Sequence, residues 1–229
     1  MATLIRHSLV NVAHLPALLM TINWLMFVPA LLLLLTPGDL FNGSKVRYRD
    51  VTRDWDDYWL RALAHSLHTV DLVRGALGTW LLLNSLHGAV NPHGFAKYEV
   101  LVTQGGIRIL AVFIQTIVCR EPEAVNAPFT FVVGLLLGGS SPVVAAFAVA
   151  LALPIALGTR AAIVFFPVVA LADLGIGFWF KGKGAVLGLS FGAVAAMIPF
   201  LWALMFRRDL VVAYRAKRQP ADSPHSPLR

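Results

Sequence analysis

A polytopic bundle of transmembrane helices, all-α and of about seven spans, is the fold class this sequence predicts, and three observations predict it. Of 229 residues, 58% are hydrophobic and only 14% charged, with a mean hydropathy of +0.72; soluble domains are roughly half apolar and about a quarter charged. The apolar residues gather in runs near the roughly 20 residues with which a helix crosses about 30 Å of hydrocarbon. Between the runs lie polar, Gly- or Pro-containing breaks, as expected of helix ends.

The first run, over 15–35, follows a weakly basic start at Arg6 and could pass for a secretion signal. It is longer than a signal core and no Ala-x-Ala cleavage site follows it, so a retained first span is expected. A cytoplasmic loop over 36–60 opens with Pro37-Gly38 and runs into Asp54-Trp55-Asp56-Asp57-Tyr58-Trp59. There Trp55, Tyr58 and Trp59 recur at helical spacing, which predicts an amphipathic helix in the interface. The second and third spans fall at 67–88 and 100–118. The fourth and fifth, at 124–139 and 143–158, are the shortest, and the tight Gly138-Gly139-Ser140-Ser141-Pro142 link makes them a helical hairpin, spanning or re-entrant. Either form leaves the topology of the rest unchanged. The sixth and seventh spans lie at 161–180 and 185–206, completing a single membrane domain over 1–218; the Pro- and Ser-rich tail over 219–229 is expected to be disordered.

Orientation follows from Lys and Arg in short loops, which stay on the cytoplasmic side. With the C-terminus inside, Lys45, Arg47, Arg49, Arg53, Arg61, Arg120, Arg160, Arg207, Arg208, Arg215, Lys217, Arg218 and Arg229 are cytoplasmic, while Arg6, Lys97, Lys181 and Lys183 are not. An odd number of crossings places the N-terminus outside. Compact loops and arginine-rich cytoplasmic ends suggest a bacterial plasma (inner) membrane. The net charge of +7 is spread between apolar runs and in the tail, so its expected counterparts are the bilayer's anionic headgroups and not nucleic acid. One cysteine, Cys119, excludes an intrachain disulfide and any multi-cysteine metal cage, and is expected to be a reduced residue at a helix end.

Ionisable groups inside apolar spans are the most informative residues: Asp71 and Arg74 in the second, Arg108 in the third and Asp173 in the sixth. A charge at the centre of a span costs about 2.5–3.5 kcal/mol on insertion scales, so each is expected to face the bundle interior and a partner. Asp71 and Arg74 share a helix face and can pair. Arg108 falls at a depth similar to Arg74, so the three could meet, either as a tether completed by backbone carbonyls or Gln104 and Gln115, or as a cationic site for a carboxylate, phosphate or lipid headgroup. Asp173 is expected to pair with Lys181, or to serve as a proton site beside Gly175 and Gly177.

Small residues mark helix packing. Gly184, Gly188 and Gly192 form a stripe at every fourth position of the last span, and Gly134 and Gly138 repeat the device in the fourth. Such stripes let backbones approach within one subunit or across a homo-oligomer. The histidines support little chemistry. On one helix His65, His68 and Asp71 rotate and rise too far to share an ion, so the first two are expected to be solvated at the interface; a site completed by Asp54, Asp56 or Asp57 is a minor alternative. His14 and His87 are the one pair with topology suited to haem, but both sit at span ends. No metal or cofactor is expected. There is no Gly-x-Ser-x-Gly elbow, zinc helix or P-loop, no histidine downstream in the membrane to partner Ser140-Ser141, and no lysine in the last span for a retinal Schiff base.

Two short stretches, Asp71-Leu72-Val73-Arg74-Gly75-Ala76 and Phe180-Lys181-Gly182-Lys183-Gly184, resemble signatures of the small seven-span acyl-phosphate-dependent glycerol-phosphate acyltransferases. That family also places its C-terminus inside. Here arginine stands where lysine is usual, one glycine of the second signature is absent, the two lie too far apart, and the Gly-Ser-Gly-Asn-rich phosphate loop is missing. The likeness is that of Gly/Lys-rich helix ends, and neither fold nor site is taken from it.

Three functional classes follow. A non-catalytic subunit or scaffold of a membrane assembly comes first, on the short loops, glycine stripes and absent catalytic motifs. A carrier for an anionic solute or protons comes second, on Arg74, Arg108, Asp71, Asp173 and the helix-breaking Pro154, Pro167 and Pro199. A lipid-modifying enzyme using the cytoplasmic aspartates and His65/His68 is third.

Overall fold

The computed structural model describes residues 20–38, 46–51, 66–88, 95–119 and 124–215. Among them lie α1 (Trp24–Leu35), α2 (Ser66–Ser85), α3 (Phe95–Ile117), α4 (Phe129–Gly139), α5 (Pro142–Gly158), α6 (Phe165–Lys181) and α7 (Val186–Phe206). Short 3₁₀ turns, Ala162–Val164 and Lys183–Ala185, lead into the last two. Three stretches are long and apolar enough to cross a membrane: Tyr98–Ile117, Ala162–Lys181 and Lys183–Phe206. α1, α4 and α5 are apolar but shorter, with 12, 11 and 17 residues.

Helix limits follow local chemistry. α4 starts only after Pro128, and α5 opens on Pro142, at a first-turn position where the missing N–H costs no hydrogen bond. α6 ends at Gly182, whose φ of 71° suits a residue without Cβ.

An all-α chain was the expectation, and two small sheets correct it. Strands β1 (Met20–Ile22) and β3 (Leu86–Gly88) pair antiparallel, Met20 opposite Gly88. β5 (Asp209–Arg215) is the middle strand of a second sheet, antiparallel to β2 (Val46–Asp50) and parallel to β4 (Ala124–Asn126). The expected spans at 15–35, 67–88 and 124–139 therefore each give up an end to a strand. Where a helix stops, its neighbouring backbone groups still need partners, and the β-branched run around Val211 and Val212 provides a strand to pair with. The interfacial helix expected around Trp55, Tyr58 and Trp59 and the tail over 219–229 lie outside the described residues.

The β2-β5-β4 sheet gathers one end of the molecule: the chain enters it from α1, α3 and α7 and leaves it for α4. α3 and α7 run side by side in the same direction, from Leu101 beside Gly188 to Phe113 edge-on to Trp202 at 5.0 Å. α2 and α4 also run parallel. A Cβ on Gly75 would meet the Phe131 carbonyl oxygen at 2.5 Å, and Cβ atoms on Gly134 and Gly138 would strike the carbonyls of Leu72 and Ala76. Backbone-to-backbone contact of this kind gains dispersion where lipid offers no hydrophobic drive.

Candidate functional site

Two buried charge clusters sit at different heights in the bundle. The lower one, nearer the three-stranded sheet, ties down the end of α1. Arg74 on α2 pairs with Asp71 at 3.5 Å and donates from Nη2 to the carbonyl of Thr36 at 2.7 Å. Its guanidinium also lies over the Phe131 ring, 5.6 Å from the centroid. Gln115 on α3 completes the knot, donating to Thr36 O at 2.8 Å and accepting from the Gly38 N–H at 2.9 Å. A helix C-terminus leaves carbonyls without intrahelical partners, and here a charge-assisted bond and an amide satisfy them.

The upper cluster is built on a break in the helical layer. α4 has 11 residues, so it rises only roughly 16 Å from the sheet end. There the chain turns through Ser140 and Ser141 into α5. Arg108 on α3 and Asp173 on α6 lie at comparable height, roughly 13 and 12 Å along their helices from the same end. Both are inside the protein, 4% and 1% exposed. A Cβ on Gly139 would come within 2.8 Å of Arg108 Nη1, so the cation lies against the C-terminus of α4, and Asp173 is bonded to Ser140 in the turn between α4 and α5.

Arg108 is loosely held. Nε reaches Gln104 O and Nη2 reaches Gly188 O, both at 3.4 Å, longer than the usual range of about 2.7–3.2 Å. Asp173 and Arg108 act on each other electrostatically but form no contact pair within 4.0 Å. Asp173 Oδ2 and Arg108 Nη1 instead approach one point from two sides, 3.7 and 3.9 Å from where a Cβ on Gly192 would stand. The Ser140 hydroxyl lies 2.8 Å from Asp173 Oδ1 and 2.8 Å from the Leu136 carbonyl oxygen. Thr79, fully buried with its methyl 3.3 Å from where a Cβ on Gly139 would stand, keeps a hydroxyl with no hydrogen-bond partner.

Asp71 and Arg74 thus come together as their spacing implied, whereas Arg108 does not join them. α3 packs along α7 while α2 packs along α1 and α4, which places the two arginines toward opposite ends of α4. Asp173 meets Ser140 and makes no contact pair with Lys181, which sits on the exposed end of α6 roughly 12 Å further along the helix; Lys181 and Arg108 both act on the carboxylate electrostatically, Lys181 the more strongly. Gly134 and Gly138 lie in a helix seam, but the Gly184, Gly188 and Gly192 stripe does not form one. Gly184 faces open space in the turn before α7, Gly188 has only Leu101 at 3.9 Å, and Gly192 borders the charged gap. His68, expected in solvent, is 7% exposed. His87 is exposed on β3, and Cys119 follows α3 by two residues. His14, His65, Asp54, Asp56 and Asp57 lie outside the described residues. Ser140, Gly139 and Thr79 were not singled out for the site. A polar turn inside an otherwise apolar run was the available signal for the first two.

Fold and site together define a mostly helical protein with three helices long and apolar enough to span a membrane, and with Arg108 and Asp173 buried near each other beside Gly192. No protein-family model matches the chain, and no curated protein or solved structure matches it.

Proposed function

We propose that the protein is a multi-pass membrane carrier that moves a small anion together with a proton through the gap between Arg108 and Asp173. One observation supports this above the others: the Ser140 hydroxyl has two acceptors at equal distance and one hydrogen to give. When Asp173 is ionised it balances Arg108, and Ser140 donates to the carboxylate. When Asp173 takes up a proton, its own O–H donates to Ser140 Oγ, and Ser140 turns its hydrogen to the Leu136 carbonyl. Both states are hydrogen-bonded without moving a helix. In the protonated state the Arg108 charge is uncompensated, and an anion entering the gap balances it through stronger bonds than the 3.4 Å contacts it has otherwise. Irregular backbone at membrane depth is tolerated where it lines such a cavity, and broken helices recur at carrier sites.

In this reading α4 and α5 form a re-entrant pair. The sheet end is cytoplasmic, because Arg47, Arg49, Arg160, Arg207, Arg208 and Arg215 fall there while Lys181 and Lys183 fall at the other end. The membrane is a bacterial plasma membrane. A scaffold without transport accounts equally well for the α2–α4 seam and the Arg74 knot, but gives no reason to keep Arg108 and Asp173 apart.

The test is uptake of chloride, phosphate or a short carboxylate by vesicles carrying the purified chain, driven by an acid step outside. The acid step is expected to drive at least one of these anions inward. Arg108→Gln abolishes uptake, and Asp173→Asn leaves passive anion entry that no longer responds to the step. If no anion responds in the native protein, or if Arg108→Gln transports normally, the carrier fails and the scaffold stands.

A further inference from the structure

α3 and α7, two of the helices long enough to span a bilayer, leave a groove of about 660 Å³ on the outer face of the bundle. Its floor is aromatic. Phe113 meets Trp202 edge-on at 5.0 Å, and Trp202 in turn lies 4.4 Å from Phe206. Leu110, Leu201 and Met205 form exposed walls. The upper end is kept open by Gly106, whose missing side chain would meet nothing within 4 Å, while the adjacent Gly105 takes the ring of Phe191 on the inner face.

The other end of the groove carries charge. One turn beyond Trp202 and Met205, α7 stops at Arg207 in a left-handed conformation with φ of 51°, followed by Arg208, and both arginines are exposed. That conformation is the one glycine usually supplies at a helix end. Two successive exposed cationic residues thus follow directly on the last groove-lining turn of α7, at the sheet end, where headgroups of a surrounding bilayer would lie. The apolar stretch from Ile198 to Met205 is roughly 10 Å long, enough for the upper part of an acyl chain.

We infer that this groove is a binding site for one anionic phospholipid, with an acyl chain between α3 and α7 on Trp202 and its phosphate on Arg207 and Arg208. Polar anchoring by arginine and burial of a chain on an aromatic floor select charge and hold the lipid in register. The site is separate from the Arg108–Asp173 gap, and lipid binding there does not depend on transport.

The experiment uses the full chain in vesicles of phosphatidylcholine that contain a minority of either phosphatidylglycerol or phosphatidylcholine brominated on the acyl chain. The Trp202 emission is taken as the difference between native protein and the Trp202→Phe variant. Brominated phosphatidylglycerol is expected to quench that emission at least twofold more than brominated phosphatidylcholine at the same mole fraction. Arg207→Gln with Arg208→Gln removes the preference but leaves basal quenching, and Gly106→Phe lowers quenching by both lipids. Equal quenching of native protein by the two lipids would reduce the groove to ordinary lipid-facing surface. Absence of quenching by either would mean that a second copy of the chain covers it.

Discussion

The two buried arginines have similar exposure and different surroundings, and the contrast is between one short bond and two long ones. Arg74 has one short bond, to a carbonyl at 2.7 Å, together with a carboxylate at 3.5 Å and an aromatic face. Arg108 has two carbonyls at 3.4 Å and a carboxylate that is bonded to Ser140 and makes no contact pair with it. A buried cation with strong fixed partners locks helices together. One with weak partners and a distant counter-charge can exchange them.

The largest expected effect is on the first arginine. Removing one partner of a buried pair costs about 3–5 kcal/mol, so Arg74→Gln should lower the midpoint of thermal unfolding in detergent sharply and reduce the yield of monodisperse protein. Arg108→Gln should cost about 1 kcal/mol or less, visible as a small shift in the same melt, because its bonds are already long. Equal losses for the two variants would erase the distinction drawn between them. Next comes the seam that carries Arg74. Gly134→Ala would drive a methyl into the Leu72 carbonyl, and overpacking of this kind costs about 1–3 kcal/mol, whereas Gly184→Ala, facing open space, should leave the melt unchanged. Gly192→Ala should alter stability little but place its methyl between Arg108 and Asp173, cutting anion uptake several-fold. Ser140→Ala is expected to cost about 1 kcal/mol for one hydrogen bond, together with a loss of the response of uptake to an acid step.

Much of this molecule was legible in its sequence, for a physical reason. The seven described helices fall on the seven apolar runs, and three of them are long and apolar enough to cross a bilayer, where helical hydrogen bonding satisfies the backbone. The Asp71–Arg74 pair was readable since both residues lie on one helix, where spacing fixes distance. Its supports on α1 and α3, Thr36 and Gln115, depend on which helices are neighbours, and Gln115 was foreseen only as a possible partner. Arg108 illustrates the same limit. Depth along a helix can be counted, but which neighbour it faces cannot, and packing of α3 against α7 sent it to Asp173. The strands were missed because a short β-branched segment beside an apolar run reads as the end of that run. The glycines of α7 share the spacing of a packing stripe, yet Gly192 borders a gap between charges.

The most direct test of the central claim is equilibrium binding of the transported anion as a function of pH, made on native protein and on Asp173→Asn in lipid nanodiscs. If the Arg108 charge is balanced in turn by Asp173 and by the anion, native protein binds more tightly as pH falls, and Asp173→Asn binds tightly at every pH. Binding that ignores pH in the native chain, or that vanishes in Asp173→Asn, would contradict the exchange.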